Sequence, residues 1–183
     1  MSSPFLEAID LVRRTADRHG FLVALIGGFA LPFHGLRRAT GDVDFLIEAS
    51  GAEPLHDALT TAGYEALHRT ADVANYRAAD QRRIPIDVLY AKRTPAIAML
   101  KRAVTPATGV AVRVVDVEGL IGLKLQAMTN DPRRRRQDES DIVALLAANL
   151  PSLNRDLLGE YFGLFDARDE LARFLEEAQR RRG

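Results

Sequence analysis

The chain has 183 residues, 47% of them hydrophobic, and its 25 basic and 25 acidic residues give a formal net charge of zero. This length supports one core, or one core with a small helical lobe, and the charge balance argues against an extended basic coat for nucleic acid while leaving room for a local patch. The absence of cysteine excludes disulfides and thiolate metal sites. The N-terminus does not resemble a signal peptide, and no apolar run approaches the length of about 20 residues that a membrane helix needs. We therefore expect a soluble cytoplasmic protein with no membrane partner.

Hydrophobic periodicity predicts that helices and strands alternate over the first 115 residues. An amphipathic helix over 4–18 ends before Gly20, a residue type that commonly follows a helix C-terminus. Thr94 is expected to cap a short helix. Strands are predicted over 21–26, 42–48, 64–68, 73–78, 83–90 and 110–115. Further helices are predicted over 28–36, 52–62 and 94–101.

Residues 116–183 contain almost no strand signal. Asp116 is expected to cap the first helix of this segment, because Glu118 follows it in the first turn and an apolar stretch comes after. Helices are predicted over 117–128, 136–149, 151–163 and 167–181. We therefore predict an α/β core over 1–115, with a mixed sheet flanked by helices, and a helical C-terminal lobe over 116–183 packed on that core.

A glycine pair ends the first apolar run of the chain. Gly27 and Gly28 lack Cβ atoms, so the backbone there can turn sharply and approach a ligand closely. A helix beginning near Gly28 would direct unpaired N–H groups and the positive end of its dipole at a phosphate. Taken alone, a Gly-Gly pair after an apolar run is most often a turn.

Two aspartates stand at the start of the second predicted strand. Asp42 and Asp44 share one face there, because side chains at i and i+2 project to the same side of a strand. Their charges repel by about 1 kcal/mol at 4 Å in bulk water, and by several times more at a partly buried site. A divalent cation offsets this repulsion, and oxygen ligands favour Mg²⁺, with Mn²⁺ as the alternative. Taken alone, Asp-x-Asp also fits a solvated loop or a helix N-cap.

The order Gly-Gly-x-Ala, His-Gly and Arg-x-Thr-x-Asp-x-Asp resembles the nucleotidyltransferase superfamily related to DNA polymerase beta. More narrowly, it resembles the AbiEii-type branch, which includes toxins of toxin–antitoxin pairs. The resemblance implies a nucleotidyltransferase α/β (α+β) fold, phosphate contacts from Gly27 and Gly28, and metal ligation by Asp42 and Asp44. Many superfamily members carry Gly-Ser, with the hydroxyl on phosphate. Here Phe29 follows the glycines, so the phosphate contacts would come from the backbone alone.

The motif predicts a third carboxylate on a neighbouring strand, and Asp87 meets that expectation. Apolar residues alternate from Ile84 to Tyr90, which fits a strand with one inward face and Asp87 on the other. An aspartate in such surroundings costs free energy unless it is paired or binds a metal. The resemblance implies that Asp87 acts as a general base for the attacking hydroxyl or as a metal ligand. The alternative is an edge-strand aspartate facing water, because Pro85 is tolerated at edges.

Three further residues are candidates for binding the nucleotide phosphates. Arg38 and Thr40 lie just before the first two acids, where the resemblance implies an arginine that neutralises phosphate or pairs with the acids; an exposed loop is the alternative. Lys124 is the single charge in an apolar helix. AbiEii-like proteins carry a lysine there, which implies an amine aimed at the triphosphate. The alternative is a lysine whose stem packs while its amine reaches water.

The remaining signals are weaker. An arginine run over 133–136 precedes Asp138 and Asp141, which fits the family pattern of a basic residue followed by Asp-x-x-Asp. Asp138 also fits a helix cap. The arginine run fits either contact with an RNA backbone or another anion or a solvated loop. His34 matches the family pattern, yet a packing or hydrogen-bonding histidine is the more common case, and the four histidines lack the spacing of a zinc site.

We therefore expect Mg²⁺-dependent transfer of a nucleoside monophosphate from an NTP to an acceptor hydroxyl on an RNA 3′ end such as that of tRNA, on a protein or on a small molecule. The resemblance adds a role as the toxin of a toxin–antitoxin pair, with a cognate antitoxin as partner. The alternative is a catalytically inactive nucleotide-binding or antitoxin-like module. The three acids count against that alternative, and the missing hydroxyl after Gly-Gly counts for it. A phosphohydrolase commonly needs clustered histidines, which the sequence lacks.

Overall fold

A computed structural model describes residues 3–107 and 109–182 of the chain. Its helices are α1 (Pro4–His19), α2 (Gly27–Ala30), α3 (Ala52–Thr61), α4 (Thr94–Arg102), α5 (Val117–Asn130), α6 (Arg135–Asn149), α7 (Arg155–Gly163) and α8 (Arg168–Arg182). Its strands are β1 (Val23–Ile26), β2 (Val43–Glu48), β3 (Tyr64–Arg69), β4 (Val73–Ala78), β5 (Ile86–Ala91) and β6 (Arg113–Val114). Short 3₁₀ turns cover Leu31–His34, Ala49–Gly51 and Pro132–Arg134.

The described residues divide into two compact units. The first comprises the residues up to Ala30 together with Arg38–Val115, and it contains the strands and α1 to α4. The second comprises Leu31–Arg37 and the residues from Asp116 onwards, and it contains α5 to α8. The predicted division into domains over 1–115 and 116–183, with the second packed on the first, stays a prediction.

The strands of the first unit form one six-stranded mixed sheet in the order β3-β4-β5-β2-β1-β6. The pairs β2–β5 and β1–β6 are parallel, whereas the other neighbours are antiparallel. Strand β1 lies between β2 and β6, and all four of its residues are buried, as expected for a strand that is covered on both faces. This mixed sheet with its helices confirms the predicted α/β fold class.

The helices of the second unit pack through buried apolar side chains. Helix α5 buries residues around its whole circumference, including Leu120, Ile121 and Leu125, which is typical of a central helix. Phe162 of α7 and Phe174 of α8 meet edge to face with ring centroids 6.0 Å apart, a preferred aromatic geometry. Within residues 3–107 and 109–182, no helix is both long enough and apolar enough to cross a membrane.

Helix ends in the structure follow the capping chemistry of the sequence in two of the three predicted cases. Gly20 follows α1 with a φ of 71°, in the left-handed region that favours glycine. Asp116 caps α5, because its Oδ1 accepts a hydrogen bond from the Gly119 N–H at 2.8 Å. The predicted cap at Thr94 is wrong: Arg93 occupies the cap position, without a side-chain hydrogen bond, and Thr94 is the first helical residue.

Three predicted elements differ most in extent from those of the structure. The helix expected over 28–36 is a single α-helical turn followed by a 3₁₀ turn that ends at His34, before Gly35 with a φ of 84°. The strand expected over 110–115 contains only Arg113 and Val114 in β6. Helix α7 begins at residue 155 rather than 151, because Asn154 caps it by accepting a hydrogen bond from the Leu157 N–H.

Candidate active site

The three aspartates predicted as metal ligands lie together in the structure. Asp44 of β2 and Asp87 of β5 are in register on adjacent parallel strands, and Asp42 lies two residues before Asp44. One carboxylate oxygen from each of the three lies within 4.8 Å of the others. The oxygen-only donor set fits a hard divalent cation such as Mg²⁺ or Mn²⁺. Among the described residues, no other group of three or more acidic or histidine side chains has this geometry.

The electrostatics of the cluster also fit a cation. Burial raises the pKa of the Asp87 carboxyl above its ordinary value, and the nearby charge of Asp42 raises it further. A hydrogen bond from Asn75 and the positive charge of Arg77 act on the pKa in the opposite direction. Burial and a like charge both oppose ionisation of Asp87, and a bound cation would offset both effects by favouring the charged carboxylate.

Residue 27 must be a glycine because the Asp44 side chain occupies the space that a Cβ atom would need. The φ of Gly27 is 64°, a conformation that residues with a Cβ rarely adopt. A Cβ atom at this position would lie 1.9 Å from Asp44 Oδ2 and 2.4 Å from Asp44 Cγ. The first glycine of the pair therefore makes room for a carboxylate of the acidic cluster, and its contact with phosphate stays a prediction.

Gly28 and Thr40 form a second close contact beside the acids. A Cβ atom on Gly28 would lie 2.8 Å from Thr40 Oγ1. That hydroxyl donates a hydrogen bond to Asp42 Oδ1 at 2.6 Å. Because a hydroxyl has a single proton, Thr40 orients an acid in this arrangement and has no second proton to donate to a phosphate. The roles of Gly28, Thr40 and the exposed Arg38 at the phosphates stay predictions.

The family of the chain follows from a match over almost its full length. Residues 10–182 match the model of the family described as the nucleotidyl transferase AbiEii toxin of a type IV toxin–antitoxin system. The chain belongs to the AbiEii family. This result confirms the resemblance seen in the Gly-Gly and Asp-x-Asp motifs, and it supports an enzyme that transfers a nucleoside monophosphate.

Solved structures share the fold of this AbiEii protein at low sequence identity. The solution structure of the antibiotic-resistance factor ANT(2″)-Ia matches with a TM-score of 0.64 and 15% identity, over 94% of this chain and 97% of the other. A crystal structure of ANT(2″)-Ia with adenylyl-2″-tobramycin gives 0.62 and 15%, over 89% and 97%. An antigenic nucleotidyltransferase-like protein from Paracoccidioides brasiliensis gives 0.56 and 16%, over 96% and 94%. These matches confirm the nucleotidyltransferase fold. No curated protein matches the chain in sequence.

Lys124 of α5 is buried in an ion-pair network of the second unit. Its Nζ donates hydrogen bonds to Asp138 Oδ1 at 3.0 Å and to Asp141 Oδ2 at 2.6 Å. Only 10% of its side chain is exposed, so the alternative of an amine that reaches water is wrong. Asp138 is 1% exposed and also accepts a hydrogen bond from Arg134 Nε at 3.1 Å. The role of the lysine at the triphosphate stays a prediction.

Asp138 is not a helix cap, which corrects the alternative considered from the sequence. Helix α6 begins at Arg135, so that Asp138 lies in its first turn, and its carboxylate binds side chains. Within the arginine run, Arg133 pairs with Asp131, whereas Arg135 pairs with Glu139 and Glu170. The arginine run is therefore largely neutralised by neighbouring acids, and its contact with nucleic acid stays a prediction.

Asn75 of β4 is a residue of this site that sequence reasoning missed. Its Nδ2 donates a hydrogen bond to Asp87 Oδ1 at 2.8 Å. A single signal pointed to it, namely a polar side chain inside a predicted strand, where asparagine is depleted. The partner could not be identified, because the sequence does not give the register between β4 and β5.

The contact between Gly27 and Asp44 yields a direct test. We expect Gly27→Ala to remove at least 90% of transfer activity and to weaken Mn²⁺ binding, because the new methyl group displaces the Asp44 carboxylate from the cluster. Titration calorimetry with Mn²⁺ and initial rates of transfer measure the two effects. Gly41→Ala is the matched control, since a Cβ atom there meets no atom within 4 Å apart from those of its two chain neighbours. Wild-type Mn²⁺ affinity in Gly27→Ala would contradict this interpretation.

Proposed function

We propose that the protein is a Mg²⁺-dependent nucleotidyltransferase that moves a nucleoside monophosphate from an NTP to an acceptor hydroxyl. One observation carries this proposal: the carboxylates of Asp44 and Asp87 on adjacent strands, and that of Asp42 just before the first of these strands, converge within 4.8 Å in a chain of the AbiEii family. A protein that only bound nucleotide would not need all three acids, because their mutual repulsion destabilises the fold unless a cation offsets it.

In this proposal all three acids bind the metal, and Asp87 also accepts a proton. Asp42, Asp44 and Asp87 would hold Mg²⁺, or Mn²⁺ in its place, which when bound neutralises phosphate charge and stabilises the attacking and leaving oxygens. Asp87 accepts the proton of the acceptor hydroxyl as the oxygen attacks the α-phosphorus. The new P–O bond forms, the bond to the β-phosphate bridging oxygen breaks, and pyrophosphate leaves.

The phosphate-binding residues of the proposal are Gly27, Gly28, Arg38, Thr40 and Lys124. The N–H groups of the glycine turn would contact the triphosphate through the backbone, and the arginine would neutralise its charge. Thr40 would take part through Asp42, to which its hydroxyl donates a hydrogen bond. Lys124 donates hydrogen bonds to Asp138 and Asp141, so in this proposal its third N–H would be the one to contact phosphate.

The biological role proposed is that of a toxin with a cognate antitoxin, as the description of the family indicates. Three classes of acceptor are proposed: the 3′ end of an RNA such as tRNA, a protein hydroxyl and a small molecule. The complex of ANT(2″)-Ia with adenylyl-2″-tobramycin offers a precedent on this fold for the third class. The test must therefore include all three.

Transfer of label from α-³²P NTPs is the experiment that tests the proposal. The protein is incubated with Mg²⁺ and each NTP in turn, together with total cellular RNA, cell protein and small-molecule extract. We expect label on one acceptor class with one preferred NTP, and no label after chelation of the metal, because the three acids would supply only carboxylate oxygens to the cation and the proposed transfer depends on it. Folded protein that binds Mg²⁺ and NTP but labels nothing would instead support the nucleotide-binding or regulatory module.

A further inference from the structure

A row of polar side chains crosses three strands at the acidic cluster. Asn75 of β4 is in register with Asp87 of β5, which is in register with Asp44 of β2. Side chains in register on adjacent strands project from the same face of a sheet, and the strands are about 4.8 Å apart. Strand β4 therefore contributes a polar side chain to the face that carries the acids, although none of the three acids lies on it.

The contact of Asn75 is specific to one acid. Its amide donates to Asp87 Oδ1 at 2.8 Å, a normal length for a hydrogen bond to a carboxylate. A carboxylate held by a donor on a neighbouring strand has a fixed rotation about its Cβ–Cγ bond. The hydrogen bond thus sets how the Asp87 oxygens face Asp42 and Asp44.

Strand formation does not explain an asparagine at this position. Asparagine is depleted in strands, and the strand is anchored by the buried residues on either side, Ala74 and Tyr76. Asn75 itself is half-buried and points to the same face as Asp87. An apolar or β-branched residue would serve the sheet better, so the amide is best explained by its contact with the carboxylate.

We propose that Asn75 is a positioning residue of the metal site: its amide holds the Asp87 carboxylate in the orientation that meets a divalent cation and the acceptor hydroxyl. The inference rests on the proposed function for its catalytic half. Its metal-binding half depends only on the three acids and can be tested without any acceptor.

The variant Asn75→Leu tests the inference, since it keeps a similar side-chain volume and removes the donor. We expect the affinity for Mn²⁺, followed by the electron paramagnetic resonance of the free ion, to fall about 10- to 100-fold. We expect kcat to fall in the same range while the KM for NTP changes by no more than about twofold, the pattern of an interaction that matters in the transition state. Asn75→Ala gives the same expectation if the leucine variant does not fold.

Asn149→Ala is the matched control for a lost asparagine hydrogen bond. Asn149 Nδ2 donates to the carbonyl oxygens of His34 and Leu145 within the second unit. We expect this control to lower the melting temperature and to leave the Mn²⁺ affinity unchanged. A purely structural role for Asn75 would produce the same result in both variants.

The outcomes separate this inference from the proposed function. Wild-type Mn²⁺ affinity and kcat in folded Asn75→Leu overturn the positioning role, whatever the acceptor is. If the wild-type protein binds Mn²⁺ through its acids but labels no acceptor, the proposed function fails, and the Mn²⁺ affinity of Asn75→Leu still decides the positioning role.

Discussion

Asp44→Asn is expected to lower the rate of nucleotide transfer about 1,000-fold while the protein remains folded. The change keeps the size of the side chain and removes one charge of the cluster. A bound cation stabilises transition-state charge by several kcal/mol, and the loss of about 4 kcal/mol corresponds to three powers of ten in rate. Initial rates with the preferred α-labelled NTP, at saturating Mg²⁺, measure the effect.

Without metal, Asp44→Asn is expected to keep or raise the stability of the protein, although it lowers the transfer rate. Because the three carboxylates repel one another, Asp44→Asn should melt at the same temperature as the wild-type protein or higher. Added Mg²⁺ should stabilise the wild-type protein, by roughly 2.7 kcal/mol at 100 times its dissociation constant, and should have little effect on the variant.

Asp57→Asn is the control for this experiment. Asp57 is an exposed aspartate of α3, in the same unit as the site but outside the acidic cluster. We expect it to keep the wild-type transfer rate and the wild-type response to Mg²⁺. A transfer rate above one tenth of the wild-type value in Asp44→Asn would show that the acid does not hold a catalytic metal.

Local chemistry explains which parts of the fold could be predicted from the sequence. The two-residue period of a strand suffices to place Asp42 and Asp44 on one face, and the structure has them in one cluster with Asp87. Gly20 and Asp116 mark helix ends through their own backbone and side-chain preferences. The fold class and the family could be predicted because each rests on local sequence patterns. The match over residues 10–182 confirms the family.

Contacts between distant segments explain what could not be predicted. The hydrogen bond from Asn75 to Asp87 depends on the register of two strands, which periodicity does not define. The close approach of Gly27 to Asp44 depends on how β1 pairs with β2. A glycine interpreted from sequence as a phosphate contact therefore makes room for the Asp44 carboxylate, whether or not it also binds phosphate.

Lys124 shows both what a local pattern can predict and what depends on contacts between distant segments. An amine within an apolar helix suggested either water or a phosphate as its partner, but the structure gives it two carboxylates of the next helix, 14 and 17 residues further on. Asp138 is almost completely buried, and its charge is balanced by Lys124 and by Arg134. The ion pair thus has a structural role that is independent of any nucleotide.

Lys124→Met is accordingly expected to lower the free energy of unfolding by about 3 kcal/mol, because it leaves a buried carboxylate without its ammonium partner. The low end of the usual range applies, since Arg134 still contacts Asp138. For a chain of this size the loss corresponds to roughly 6 to 12 °C in melting temperature. Thermal and urea unfolding measure it, and a loss below about 1 kcal/mol would contradict a structural ion pair.

A double-mutant cycle separates the structural role of Lys124 from the proposed one at the triphosphate. Asp138→Asn also breaks the pair, so the double variant Lys124→Met/Asp138→Asn should be less destabilised than the sum of the single variants. Asp138→Asn keeps the amine, whereas Lys124→Met removes it. If the lysine also binds phosphate, the KM for NTP rises in Lys124→Met and not in Asp138→Asn, both measured well below their melting temperatures. If KM is unchanged in both, the lysine acts only through the packing of α5 against α6.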